Sequence, residues 1–260
     1  MSRLITLTTD FGLRDPFVGI MKGVILRIQP KATLIDLTHQ IEPQNIQQGA
    51  LVLSSAIPYF PKKTIHLAVV DPGVGSERRP IVVETPDAIF VGPDNGLLTP
   101  AFSGKATAFE LTEPNYFLKA PSNTFHGRDV FAPVAAHLAS GIKPSRMGKK
   151  IDNPVLLDLP RPELKNTGLH GQVIYSDRFG NLTTNITDRD LKRCLTSNPP
   201  VLRIGRRTLK QFFRSYADCP VGKAGFLINS WNAIEIFVRD DNAQQRLNIE
   251  PGTSVTLRFS

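Results

Sequence analysis

Apolar and polar positions along this chain follow two periods, and the mixture changes near residue 150. Residues 4–9, LITLTT, form a short β-rich run. Asp15 and Pro16 then read as a helix start, an N-cap acid followed by proline at the first helical position. Phe17, Ile20, Met21, Val24, Ile25 and Ile28 recur at helical spacing until Pro30 stops the pattern. TLIDLT (33–38) predicts the next strand. A second helix is predicted over 43–57, with Ile46, Ala50, Leu53 and Ile57 on one face, and then a strand over 64–71, TIHLAVVD. Strand, helix, strand, helix, strand is the order of a largely parallel α/β sheet. PIVVE and AIFVG follow, joined by a Pro-Asp turn, so the sheet can become mixed there. A third helix is predicted through RDVFAPVAAHLASG (128–141), with Val130, Val134 and Leu138 on one side and Gly141 as its stop.

Residues 152–168 carry three prolines and no clear period, and read as a linker between a domain over 1–151 and another over 169–260. Beyond it lie short β-rich runs broken by turns: GQVIYSD, NLTTNIT, PVLRIG, AGFLINS, NAIEIFV and SVTLRFS. Such spacing predicts a small β-barrel or a sandwich.

Composition narrows the class. At 41% hydrophobic and 21% charged residues, the chain has material for ordinary globular cores. No apolar run approaches the roughly 18–20 residues of a membrane span, and the first residues lack the pattern of a leader peptide. A cytoplasmic protein is expected. Cys194 and Cys219 have no zinc-site spacing and read as reduced structural thiols. The formal charge of +8 allows a nucleic-acid partner, but the basic residues are scattered without an aromatic-interleaved stripe. A solvated surface is the expected reading.

The candidate chemistry lies at strand ends, where parallel sheets place their ligands. Asp10 opens Asp10-Phe11-Gly12, the letters of a kinase metal site. A kinase needs a glycine-rich loop, a lysine and a catalytic loop before them, and only nine residues precede this aspartate. Asp71 opens DPGVGSERR, whose glycines allow close backbone approach and which carries Arg78 within reach of Asp71; a turn with a surface ion pair is the alternative. Pro93-Asp94-Asn95-Gly96 repeats the strand-then-acid pattern, with pure turn chemistry as its alternative. His126 precedes the third helix, whose N-terminus would favour the neutral imidazole. In the β-rich half, Asp177, Phe179 and Asn181 fall within SDRFGNLTTN, a set able to hold a ribose, a flat base or an amino-acid head group, or simply to turn a hairpin.

Taken together, TTDFGLRDPFVGIMKG, VVDPGVGSERRPI, FVGPDNGLLT, TFHGRDVFAP and SDRFGNLTTNI resemble the S-adenosyl-L-methionine hydroxide adenosyltransferases, relatives of the fluorinating and chlorinating enzymes. The motifs run in order from residue 8 to 186, and the β-rich tail fits as well. The resemblance implies an N-terminal α/β/α sandwich with a mainly parallel sheet and a C-terminal small β-barrel. It implies a homotrimer with ligand held between neighbouring subunits. It implies a catalytic set Asp71, Arg78 and His126, a ribose-binding Asp10, methionine-end contacts at Asp177 and Ser230, and adenine-side contacts at Phe179 and Asn181. The halogenating relatives carry tyrosine at the place of Asp71 and serine at the place of Gly127. This sequence has neither, so a halide pocket is not expected. It departs from the family near the C-terminus, where NSWNAIEIF puts Trp231 and Asn232 in place of the usual Ser-x-Gly.

The implied reaction is displacement at the ribose 5′ carbon of S-adenosyl-L-methionine (SAM) by water or hydroxide. Methionine leaves as a neutral thioether, so neither a metal nor a cofactor is expected. A dry, aligned pocket favours the meeting of hydroxide with sulfonium. Asp71 and Arg78 are expected to fix the water and His126 to relay its proton. A non-catalytic SAM or adenosine sensor, a halide-using SAM transferase and a nucleic-acid-binding protein are the competing readings.

Overall fold

The computed structural model describes residues 4–194 and 200–258. The chain divides into two compact units, Met1–Asp158 and Leu159–Ser260. In the first, β1 (Leu4–Thr9), α1 (Phe17–Ile28), β2 (Thr33–Thr38), α2 (Ile46–Ala56), β3 (Thr64–Val69), β4 (Pro80–Glu84), β5 (Ala88–Pro93), β6 (Thr107–Leu111), α3 (Ala132–Ala139) and β7 (Gly148–Ile151) follow in chain order. The sheet runs β2-β1-β3-β5-β4-β6-β7. The pairs from β2 to β5 are parallel; β4 runs antiparallel to both β5 and β6, and β7 antiparallel to β6. Five strands therefore share one direction, and the hairpin of β4 with β5 supplies the predicted mixing.

Period-two alternation in β3 builds two cores. Ile65, Leu67 and Val69 pack with Met21, Ile25, Val134 and Leu138 of α1 and α3. Ala68 and Val70 pack on the other face with Leu53 of α2 and Phe90. That is an α/β/α sandwich. Alternation also buries polar groups: His66 is 1% exposed, shares a 2.8 Å hydrogen bond with Thr6, and stacks on Phe90 with centroids 5.1 Å apart.

Three helix boundaries differ from expectation. Asp15 does not cap α1; Pro16 occupies the cap position and no side chain caps the helix. The second helix begins at Ile46, because Asn45 accepts from the Gln48 amide and sets the start there. The third opens with a widened π-turn over Gly127–Phe131 before regular α3 begins. Pro133 explains the widening. It has no N–H to donate to the Asp129 carbonyl, which instead accepts from the Leu118 amide at 2.9 Å.

The second unit holds β8 (Glu163–Lys165), β9 (Gly168–Ser176), β10 (Leu182–Thr187), α4 (Asp188–Cys194), β11 (Val201–Ile204), β12 (Arg207–Leu209), β13 (Ala224–Ile228), β14 (Ala233–Val238), α5 (Ala243–Leu247) and β15 (Ser254–Arg258). Its antiparallel order is β12-β11-β15-β9-β10-β14-β13, with β8 on β9. The chain just beyond β12 meets β13, where Phe213 donates to the Phe226 carbonyl and Phe226 to that of Gln211. The sheet is thus a nearly closed barrel around Val173, Leu182, Leu202, Phe226, Ile236 and Leu257.

Candidate active site

Thr9 of β1 pairs with Val69 of β3, so Asp10 and Asp71 leave adjacent parallel strands at the same carboxyl edge. The chain then turns through residues 71–78 and re-enters the sheet at Pro80. Gly75 sits at φ 80°, and a Cβ there would lie 2.4 Å from the Asn123 carbonyl oxygen. Glycine at that position lets this loop rest against the loop that carries His126.

Across that contact three side chains join. Arg78 Nε donates to both oxygens of Asp71, at 2.9 and 3.0 Å, and Nη2 donates to Oδ2 as well. Nη2 also lies 2.9 Å from His126 Nδ1. A guanidinium only donates, so Nδ1 is the acceptor and the proton of the neutral imidazole sits on Nε2. The side chains of Asp71 and Arg78 are 5% and 9% exposed. Arg78 stacks its guanidinium 5.3 Å from the Phe131 ring centroid. Its Nη1 is buried with no hydrogen-bond partner among the described residues.

His126 is held below the ordinary imidazole value. Burial is the first cause and the Arg78 cation the second, opposed by Asp71 and Asp129. Burial and a guanidinium, rather than the expected helix N-terminus, are the causes. Asp129 is buried and anchors the His126 loop, its carboxylate accepting from the Ser122 amide at 2.8 Å and from Arg128 Nε at 2.6 Å. Gly127, next to His126, is walled in. A Cβ there would meet Phe125 at 3.1 Å and Met21 at 3.2 Å. Phe125, Phe11 and Phe17 form an edge-to-face trio beside it. Asp10 is half-buried and accepts from the Gln44 amide at 2.8 Å, which ties the end of β1 to the loop after β2.

In the second unit, Asp177 organises a tight turn. Oδ1 accepts from the amides of Phe179 and Asn181 at 2.9 and 2.8 Å. These three residues line an open cavity of about 600 Å³ with Tyr216, Arg239 and Asp241. The Phe179 ring is 75% exposed at its rim. Tyr216 was not picked out by the sequence; its hydroxyl donates to the buried Glu235 at 2.5 Å, and burial with this carboxylate pushes its pKa up. Ser215 and Asp218 form a capping box around it, the only local signal it has. Ser230 is exposed in the turn between β13 and β14 and is not part of the cavity lining. Trp231 folds onto Tyr175, with centroids 5.1 Å apart, and Asn232 takes the left-handed conformation the turn requires. Among the described residues no group of three or more His, Cys, Asp or Glu side chains is placed to hold a metal, and no helix is long and apolar enough to cross a membrane.

Comparison with known proteins places this geometry in a family. The profile of the SAM hydroxide adenosyltransferase N-terminal domain matches residues 5–148, and that of the C-terminal domain matches residues 171–256. A protein of Salinispora arenicola named (R)-S-adenosyl-L-methionine hydrolase is 39% identical over 253 residues, 95% of each chain. One of the same name from Methanocaldococcus jannaschii is 41% identical over 262 residues, 95% of this chain and 92% of that one. A crystal structure of a conserved protein from Thermotoga maritima superposes with a TM-score of 0.91 at 37% identity, covering 97% of this chain and 99% of that one. The chain belongs to the SAM hydroxide adenosyltransferase family.

Proposed function

We propose that this protein hydrolyses SAM to adenosine and L-methionine, water or hydroxide attacking the 5′ carbon of the ribose. The observation that carries the reading is the Asp71–Arg78–His126 chain at the carboxyl edge of the sheet, with the side chains of Asp71 and Arg78 buried, in a chain matched along nearly its whole length by enzymes named for this hydrolysis. The sulfonium already supplies a neutral leaving group. The protein's task is therefore to seat and deprotonate water, and the reaction as written draws on no metal or cofactor.

Asp71 is the acceptor of the proton. Its oxygens keep lone pairs beyond those used by Arg78, whereas the unprotonated nitrogen of His126 is engaged by Arg78. His126 then orients the water through Nε2–H, and the unpartnered Arg78 Nη1 offers a further donor to the attacking oxygen. In this reading His126 orients the water rather than relaying its proton. General-base assistance of this kind contributes roughly 10²–10⁴-fold. Asp10 receives the ribose hydroxyls; Phe179 and Asn181 receive the adenine; Asp177 and Ser230 receive the methionine end. The subunits form a homotrimer with inter-subunit sites, and the enzyme works in the cytoplasm.

The deciding experiment is incubation with SAM in oxygen-18 water, in chloride-free buffer, followed by mass spectrometry. Adenosine labelled at its 5′ hydroxyl together with free methionine is the expected result. Ligand retained without turnover would make the protein a sensor, and 5′-chloroadenosine on adding chloride would make it a halide transferase. Sedimentation gives the oligomeric state. Mixing an inactive Asp71→Asn variant with an inactive Asp177→Asn variant should restore activity only if one site draws on two subunits.

A further inference from the structure

The Pro93-Asp94-Asn95-Gly96 segment has turn chemistry, yet its side chains do not serve only the turn. Asn95 Nδ2 donates at 2.9 Å to the carbonyl of Val70, the residue before Asp71. Its Oδ1 accepts from the Leu97 amide at 3.1 Å, which fixes the amide plane. Asp94 is 4% exposed and accepts from Nε of Arg79, the residue after Arg78, at 2.8 Å. The Asp94 amide donates to the Arg79 carbonyl at 2.9 Å. One dipeptide at the end of β5 thus grips residues 70 and 79, the two ends of the loop that holds Asp71 and Arg78.

The same carboxylate has a third partner. Asp94 Oδ1 accepts from the Val155 amide at 2.8 Å, and Arg79 donates to Asn153 Oδ1 and to the Asn153 carbonyl at 2.9 and 2.7 Å. Residues 153–157 are strapped to the first unit, with the Leu157 amide on Thr99 Oγ1 at 2.8 Å as a further tie. The Asp94 side chain is 1% exposed and that of Arg79 25%, so this carboxylate is held inside by its three partners rather than left at a solvated turn.

We propose that Asp94 and Asn95 are positioning residues for the Asp71–Arg78 pair: they clamp both ends of its loop and tie it to the strap over 153–157. The proposal rests on the catalytic reading of that pair, because a misplacement of about 1 Å at a reacting group costs on the order of 10²-fold in rate.

Asn95→Asp keeps the shape and the acceptor for Leu97 but sets a carboxylate against the Val70 carbonyl. Asp94→Asn keeps the shape but removes the charge facing Arg79. Thr99→Val removes the tie to Leu157 and the Thr99 Oγ1 bond to the Gly96 carbonyl, neither of which reaches residues 70–79. In the SAM hydrolysis assay, Asn95→Asp and Asp94→Asn should each lower kcat by roughly 10–100-fold with KM changed by less than about 3-fold, the pattern of lost transition-state alignment. Thr99→Val should leave kcat within about 2-fold of wild type. A second readout does not depend on turnover. Arg78, Asp71 and Asp129 are the charges that act on His126. Loosening Arg78 should move the His126 titration, followed by NMR, upward in Asn95→Asp and Asp94→Asn and leave it in place in Thr99→Val. Folded Asn95→Asp and Asp94→Asn proteins with wild-type kcat and an unmoved His126 titration would overturn the proposal, and so would an equal kcat loss in Thr99→Val. Should wild-type protein release no adenosine, the hydrolase reading falls, and the titration alone still decides whether the clamp positions Arg78.

Discussion

Asp71 and His126, in the roles proposed for them, have separable signatures. Asp71→Asn keeps the shape beside Arg78 but removes the proton acceptor. We expect kcat to fall by roughly 10²–10⁴-fold with SAM affinity nearly unchanged, read by single-turnover kinetics alongside calorimetry. Equal losses in affinity and turnover would move Asp71 from chemistry to recognition. The pH profile tests His126. Protonation places a hydrogen on Nδ1 and breaks its bond with Arg78, so activity should fall on the acid side. Because burial and Arg78 hold His126 below its ordinary value of 6.5, the acid limb should lie below that pH. A limb above it would contradict the environment described. That Asp71, Arg78 and His126 could come together was legible because each sits in a short motif at a strand or helix end. Tyr216 was not, since its position depends on β14 and Glu235, far away in sequence.

At the scale of elements, loops rather than helices define the candidate site, and glycine sets how closely they approach. Gly75→Ala would need both a left-handed alanine and a Cβ within 2.4 Å of the Asn123 carbonyl. The loops bearing Arg78 and His126 would have to part. We expect a loss of kcat of at least about 10-fold from misalignment and a lowered melting temperature; a variant of full activity would show that the contact is dispensable. The order of strands and helices could be read from hydrophobic period, because period follows directly from which face is buried. Helix starts could not. Asp15 looks like a cap but makes no capping bond, and the π-turn before α3 follows from Pro133 together with the distant Leu118 amide, a partner that no local pattern names.

For the molecule as a whole, acid is the condition that exposes its internal polar groups. His66 has its pKa lowered to about 4 from 6.5 by burial. Between those values the unfolded chain takes up a proton that the native state refuses, so stability falls as pH drops from about 6.5 toward 4 and then levels off. A shift of this size corresponds to about 3 kcal/mol. Denaturant unfolding at pH 7.5 and pH 5 should show much of that loss in wild-type protein, and His66→Phe should flatten the slope even if it lowers the overall stability. A wild-type protein equally stable at both values would rule His66 out as an acid-sensitive element. The change from helical spacing to short strands could be read near residue 150; the division itself falls between Asp158 and Leu159, inside the stretch expected to be a linker. The contribution of residues 153–157 was hidden there, because a proline-rich run has no period to show that Asp94, Arg79 and Thr99 hold it.

The barrel of the second unit meets itself through the short segment Gln211–Phe213 against Phe226 rather than through a full ladder. A cylinder with one thin stave has a preferred place to open. The amides of Phe213 and Phe226 should exchange with solvent deuterium earlier than those inside the paired run of β9, β10 and β14. The opening would expose two strand edges, β12 and β13, able to accept a strand from elsewhere. The line of closure is therefore also the line along which the two ends of this sheet would first come apart.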